Sequence, residues 1–367
     1  MLDRTISYTL PVVAALLAAS SAAAQSPMSA SAAPPKFPAV KPSGMKPAQP
    51  AADMQAVLSA QAALGAKPIE TLTPAEARTQ PSPADGVARV MAAKGMPTAS
   101  DPAVTTTDMA YGSDPKQVAR VYKPAGATGA LPMIVYYHGG GWVIADLKTY
   151  DATPRFMAKQ LGAVVVSVEY RHAPEVKFPA QHDDAAAAYS WALKNARSFG
   201  GNPAVVALAG ESAGGNLAIA TAIYARDHKL PMPRHILAVY PIANSSMMLP
   251  SKLENVAAKP LNTAMLSWFS YYTVAAKADA QDPRINLVKA NLRGLPPTTI
   301  VNAQIDPLRS DGETLAEAMR AAGDQVEQRT FPGVTHEFFG MGTVVKGAAD
   351  AEAYAVARLR PALTGGR

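Results

Sequence analysis

The sequence predicts an α/β fold, a parallel sheet with helices on both faces, and three observations carry that prediction. From Val118 onward, short β-branched runs alternate with longer helix-like runs, the order expected when each strand is followed by a crossover helix. Runs such as Met133–Tyr137 and Val164–Glu169 are almost wholly apolar, as strands buried on both faces must be. One such run, Val205–Ala209, passes through Gly210-Glu211-Ser212-Ala213-Gly214 straight into a helix-like run. A strand-to-helix turn that tight holds its serine outward at the sheet edge, in a strained backbone conformation.

Taken in order, the strand candidates are Val118–Val121, Met133–Tyr137, Val164–Glu169, Val205–Ala209, Ile236–Tyr240, Thr298–Asn302 and Val326–Phe331. Helices fit Pro154–Leu161, Ala180–Ala196, Ser212–Ala225, Ser310–Ala322 and Ala348–Leu359. Ahead of these, Ala52–Leu64 and Pro74–Lys94 read as helical pieces interrupted by Pro81 and Pro83. Leu261–Lys277 has helical spacing, with Met265, Trp268, Phe269 and Tyr272 on one face. That stripe reads equally as core and as the wall of a pocket. Substrate in such a fold binds at the C-terminal ends of the strands.

The chemistry sits at those ends. Met133–Tyr137 runs into His138-Gly139-Gly140-Gly141-Trp142. Glycines after a strand leave backbone N–H groups free to converge on a developing negative oxygen. The amides of Gly140, Gly141 and Ala213 are the candidate donors. Asp306 follows the strand candidate Thr298–Asn302 and can reach the same edge. Asp311 and Glu313 are rival acids, but they fall in the next helix and read as solvated. Of the 6 histidines, only His336 lies beyond Asp306, in the turn-rich loop Pro332–Phe338, and the order Ser, Asp, His is the one this kind of fold uses. Ser212, Asp306 and His336 are therefore the expected catalytic set. His138 reads as a loop-ordering residue, and His228 and His235 flank a surface connection. Cysteine is absent, and neither His-x-x-x-His nor His-Glu-x-x-His occurs, so no metal site is expected.

With these residues in view, the chain resembles the hormone-sensitive-lipase-like branch of the α/β-hydrolases, the bacterial family IV esterases. The resemblance rests on His138–Trp142, Tyr170-Arg171-His172-Ala173-Pro174-Glu175, Phe178-Pro179-Ala180, Gly210–Gly215, Asp306–Arg309 and Gly333–His336. It implies an α/β-hydrolase fold, with an eight-stranded, mostly parallel sheet under a helical cap. It also implies cofactor-free hydrolysis of carboxylic esters with short to medium acyl chains. The cap would draw on residues 52–110 and on an insertion near 242–283, within a catalytic domain spanning 111–363. Trp142, Trp268 and Met265 are candidates for the pocket wall. The chain departs from the family at Glu211, where Asp or Thr is common, at His172, where Leu is usual, and at Ser310-Asp311-Gly312. A lipase acting on longer chains and a non-catalytic binding protein on the same fold are the alternatives.

Composition narrows the setting. The 367 residues carry a net charge of +6 with 49% hydrophobic content, enough for one large domain. There is no basic patch interleaved with aromatics, so nucleic acid is not an expected partner. Arg4, the apolar run Leu10–Ala19 and Ala22-Ala23-Ala24 read as a secretory signal over residues 1–24, too short for a membrane span. Residues 25–51, rich in Pro and Ala, read as a linker. A periplasmic or secreted small-ester hydrolase, without stable membrane insertion, is the expectation; oligomeric state is not legible.

Overall fold

The computed structural model describes residues 28–37, 40–42, 44 and 47–365, so the expected signal segment lies outside the described residues. Eight strands form a single sheet: β1 (Val104–Ala110), β2 (Val118–Pro124), β3 (Leu131–Tyr137), β4 (Val164–Val168), β5 (Gly201–Glu211), β6 (Ile236–Val239), β7 (Thr298–Ile305) and β8 (Val326–Thr335). Their order is β1-β2-β4-β3-β5-β6-β7-β8. The pairs β1/β2 and β2/β4 are antiparallel, and every other pair is parallel.

Strand β1 has no counterpart in the sequence reading, which placed cap helices throughout 52–110. Its residues 105–108, Thr-Thr-Thr-Asp, are exposed at the sheet edge. An edge strand with polar residues on both sides has no alternation to detect.

The helices are α1 (Ala52–Ala62), α2 (Pro74–Ala77), α3 (Pro83–Ala93), α4 (Ala152–Leu161), α5 (Ala180–Asn195), α6 (Ala213–Asp227), α7 (Pro250–Glu254), α8 (Thr263–Thr273), α9 (Arg309–Ala321) and α10 (Lys346–Thr364). Proline opens α2 and α3, and Thr73 and Ser82 cap them through reciprocal bonds with Glu76 and Asp85. Along β3 the side chains alternate between two cores. Met133, Val135 and Tyr137 face the core shared with α5, α6 and α9. Ile134 and Tyr136 face the core shared with α4 and α10.

A third, smaller core forms the cap. Trp268, Phe269 and Tyr272 of α8 pack with Leu72, Ala77 and Val143. Burying one large apolar side chain of this kind stabilises by about 1.5–3 kcal/mol. The N-terminal helices divide between two places. The segment around Leu72 and α2 joins the cap, while Met54 and Val57 of α1 enter the body core beside Phe331 and Val334. The described part of the Pro/Ala-rich stretch also touches the cap: Met28 and Phe37 pack against it, and Tyr272 Oη donates to the Ala32 carbonyl at 2.6 Å. That stretch is not a free linker along its whole length. Among the described residues, no helix is long and apolar enough to cross a membrane.

Candidate active site

Strand β5 ends at Glu211 and α6 begins at Ala213, leaving Ser212 alone to turn the chain. Its backbone sits at φ 57° and ψ −117°, a conformation costing about 1–3 kcal/mol for a non-glycine residue. Strand β6, the chain just beyond it and the first turn of α6 hold it there. Ser212 N donates to Val239 O at 2.9 Å, and Ser212 O accepts from Asn216 N at 3.1 Å and Ile242 N at 3.2 Å. The turn also demands a close approach of α6 to β3. A Cβ on Gly214 would overlap the Tyr137 carbonyl oxygen.

Asp306 lies one residue past β7 and is fully buried. Its Oδ1 accepts the Leu308 amide at 2.8 Å, and its Oδ2 lies 2.7 Å from His336 Nδ1. His336 follows β8, and its Nε2 lies 3.0 Å from Ser212 Oγ. A carboxylate only accepts, so Nδ1 carries the proton and Nε2 presents a lone pair to the serine hydroxyl. Burial pushes the imidazole's pKa down, but the charge and hydrogen bond of Asp306 outweigh it, with help from Glu337 and Glu211. The net shift is upward. The structure thus brings the three expected residues into one hydrogen-bonded chain.

The glycine loop starts beside the same turn: a Cβ on Gly139 would lie 3.1 Å from the Glu211 carbonyl oxygen. Gly140 and Gly141 both have positive φ, at 96° and 58°. Among the described residues, the amides of Gly140, Gly141 and Ala213 donate to no protein acceptor. Cap helix α8 lies directly on this loop. Thr273 Oγ1 donates to Gly141 O at 3.2 Å, and a Cβ on Gly141 would run into the Phe269 ring.

Beneath the serine is a set of acids and phenols that sequence reading did not assemble. Glu211, left without a role by the sequence, accepts from Tyr136 Oη at 2.6 Å and Tyr240 Oη at 2.5 Å. Burial raises its pKa to about 7. Glu337, next to the histidine, accepts from Tyr150 Oη at 2.6 Å. The alternation of β3 signals that Tyr136 lies opposite Tyr137, but nothing local signals its partner 75 residues on.

One acid and one histidine differ from expectation. Asp311 is not solvated: it is fully buried, pairs with Lys252 Nζ at 2.9 Å, and accepts the amides of Ala243 and Asn244. It anchors the cap insertion to α9 rather than serving the histidine. Glu313 is half-exposed beside Arg309. His235 is buried, bonded through Nε2 to Thr299 Oγ1 at 2.9 Å.

An α/β hydrolase fold family model matches residues 134–340. The chain belongs to that family. It is 40% identical over 248 residues to the carboxylesterase NlhH of Mycobacterium tuberculosis, covering 66% of this chain and 78% of the relative. It is 33% identical over 233 residues to an ethyl acetate hydrolase of Pseudomonas putida, covering 62% of this chain and 73% of that protein. Among solved structures, a thermostable esterase from Pseudomonas putida superposes with a TM-score of 0.77 at 28% identity, covering 86% of this chain and 98% of that one. The eight-stranded, mostly parallel sheet under helices is the architecture of this hydrolase family.

Of the pocket candidates, Trp268 has no exposed surface, and its indole N–H is taken by Leu72 O at 2.9 Å. It is cap core, not pocket wall. Met265 is 7% exposed in the same core, and Trp142 is 4% exposed beside His182. Phe269, from the same stripe, packs over the glycine loop.

Proposed function

We propose that this chain is a serine hydrolase of short- to medium-chain carboxylic esters, with Ser212 as nucleophile, His336 as general base and Asp306 as the group that orients it. The observation carrying this reading is the unbroken chain Asp306 Oδ2, His336 Nδ1, His336 Nε2, Ser212 Oγ at 2.7 and 3.0 Å. As Ser212 Oγ attacks the ester carbonyl, its proton passes to His336 Nε2, and Asp306 stabilises the imidazolium. The carbonyl oxygen becomes an oxyanion held by the amides of Gly140, Gly141 and Ala213. His336 returns the proton to the departing alcohol, leaving an acyl-enzyme. Water attacks that ester, giving its proton to the same imidazole, and the acid leaves as Ser212 Oγ is reprotonated.

The named relatives, a carboxylesterase and an ethyl acetate hydrolase, support a small ester as substrate. The signal-like residues 1–24 support a periplasmic or secreted destination. The test is Ser212→Ala assayed on p-nitrophenyl acetate and butyrate, with fluorophosphonate labelling of the wild type. Turnover should vanish while the folded CD spectrum persists, and the label should sit on Ser212. More than a few per cent of retained activity would overturn the assignment.

A further inference from the structure

Behind the glycine loop lies a cluster that the ester chemistry does not use. His138, Glu169 and His172 each direct a ligand-type atom to one spot, all within 4.8 Å of one another. His138 Nε2 is 3.8 Å from Glu169 Oε2, and His172 Nε2 is 3.4 Å from Glu169 Oε1. His138 is fully buried, and the side chains of Glu169 and His172 keep only 10% of their surface.

The tautomer of His138 follows from its surroundings. Its Nδ1 lies 2.8 Å from Gly139 O. A carbonyl only accepts, so Nδ1 carries the proton and Nε2 is an unprotonated lone pair. That lone pair faces a carboxylate, and among the described residues neither His138 Nε2 nor His172 Nε2 has a hydrogen-bond partner. An unprotonated Nε2 and a carboxylate turned toward each other in a buried space repel unless a proton or a cation lies between them. The gaps of 3.8 and 3.4 Å exceed the roughly 2.5–3.2 Å of a proton-bridged contact. They approach the ~3.3 Å edge of a tetrahedron built on bonds of about 2.0–2.1 Å, the length of a zinc–imidazole bond.

We propose that His138, Glu169 and His172 form a binding site for a divalent transition-metal ion of the zinc type, with water from the solvent side as the remaining ligand. Two imidazoles and a carboxylate are a ligand set such ions accept. The supporting groups are built as metal sites need them. Gly139 O fixes the ring of His138, Tyr170 stacks on that ring at 4.4 Å, and the Leu147 amide holds Glu169 Oε2 at 3.0 Å. Asp146 adds a second negative charge acting on His138, while Lys116, Arg120 and Arg78 are the cations acting on the cluster. The ion would join the segment Glu169–His172 to the first residue of the loop carrying Gly140 and Gly141, stiffening that loop from behind.

The sequence hides this site because its ligands come from two loops, 31 residues apart at the nearest, and match no local spacing. The test uses untagged full-length protein stripped with dipicolinate, then titrated with Zn2+ and Co2+. Wild type should bind one equivalent, gain thermal stability, and show the intense visible bands of tetrahedral cobalt. His172→Leu should weaken binding by about 100-fold or more and lose those bands, while His228→Ala, altering an exposed histidine, should keep both. Should His172→Leu fail to fold, X-ray absorption on zinc-loaded wild type replaces it, and two imidazoles with oxygen ligands support the site. Zinc bound no more tightly by wild type than by His172→Leu, or a zinc shell lacking two imidazoles, would overturn it.

Discussion

Replacing Asp306 with asparagine exchanges one oxygen for an NH2 group, and the structure dictates which way that amide must turn. Asp306 Oδ1 accepts the Leu308 amide at 2.8 Å. An NH2 group there would set donor against donor, so the asparagine oxygen must keep that position. Its NH2 group then faces His336 Nδ1, where Asp306 Oδ2 now lies at 2.7 Å. The imidazole responds by putting its proton on Nε2 and its lone pair on Nδ1. Nε2 then donates toward Ser212 Oγ, 3.0 Å away, and can no longer take the serine proton. Packing hardly changes, because the two side chains have the same shape. The expected loss in kcat is about 10⁴-fold, or ~5.4 kcal/mol at ~1.36 kcal/mol per decade. The assay is kcat and KM on p-nitrophenyl butyrate, with thermal unfolding to show that the fold survives and fluorophosphonate labelling to report the serine's reactivity. A loss below tenfold in a folded variant would refute the tautomer argument and reopen the identity of the acid.

Three further outcomes follow from the same geometry. His336 must be neutral to accept the serine proton, and its pKa is raised from 6.5. Activity therefore falls as pH drops through a value above 6.5, and an acid limb of kcat/KM centred lower would contradict the ion pair. Gly141→Ala places a methyl group against the Phe269 ring at φ 58°; it should displace the amide and lower kcat by about 10²–10³-fold, and a change under threefold would remove Gly141 from the oxyanion site. Lys252→Met leaves Asp311 buried without its partner at 2.9 Å; it should cost about 3–5 kcal/mol, read as a melting temperature lower by roughly 10 °C, and a shift under about 2 °C would show that the pair contributes little.

What was legible in the sequence follows from how local each signal is. The turn at Ser212 declares itself because its glycines, its strand and its helix are contiguous, and β3 and β4 declare themselves because burial on both faces leaves only apolar residues. Asp306 and His336 were legible by chain order, since each follows a strand of the same sheet and parallel strands end on the same side. Strand β1 escaped because an exposed edge imposes no pattern on Thr105, Thr106 and Thr107. Asp311 escaped for a different reason. On its own helix it looks like any first-turn acid, and it is buried only because α7, some 60 residues earlier, folds over it and presents Lys252. Trp268 is ambiguous in the sequence for the same reason: a stripe on a helix says that one face is covered, not whether protein or substrate covers it. The Leu72 carbonyl that takes its indole proton comes from the N-terminal segment, 196 residues away. The cap is thus hard to read because its contacts join stretches of chain far apart in sequence. It is also where Phe269 meets the glycine loop, so the contact that covers this loop lies in a region that sequence pattern does not reach.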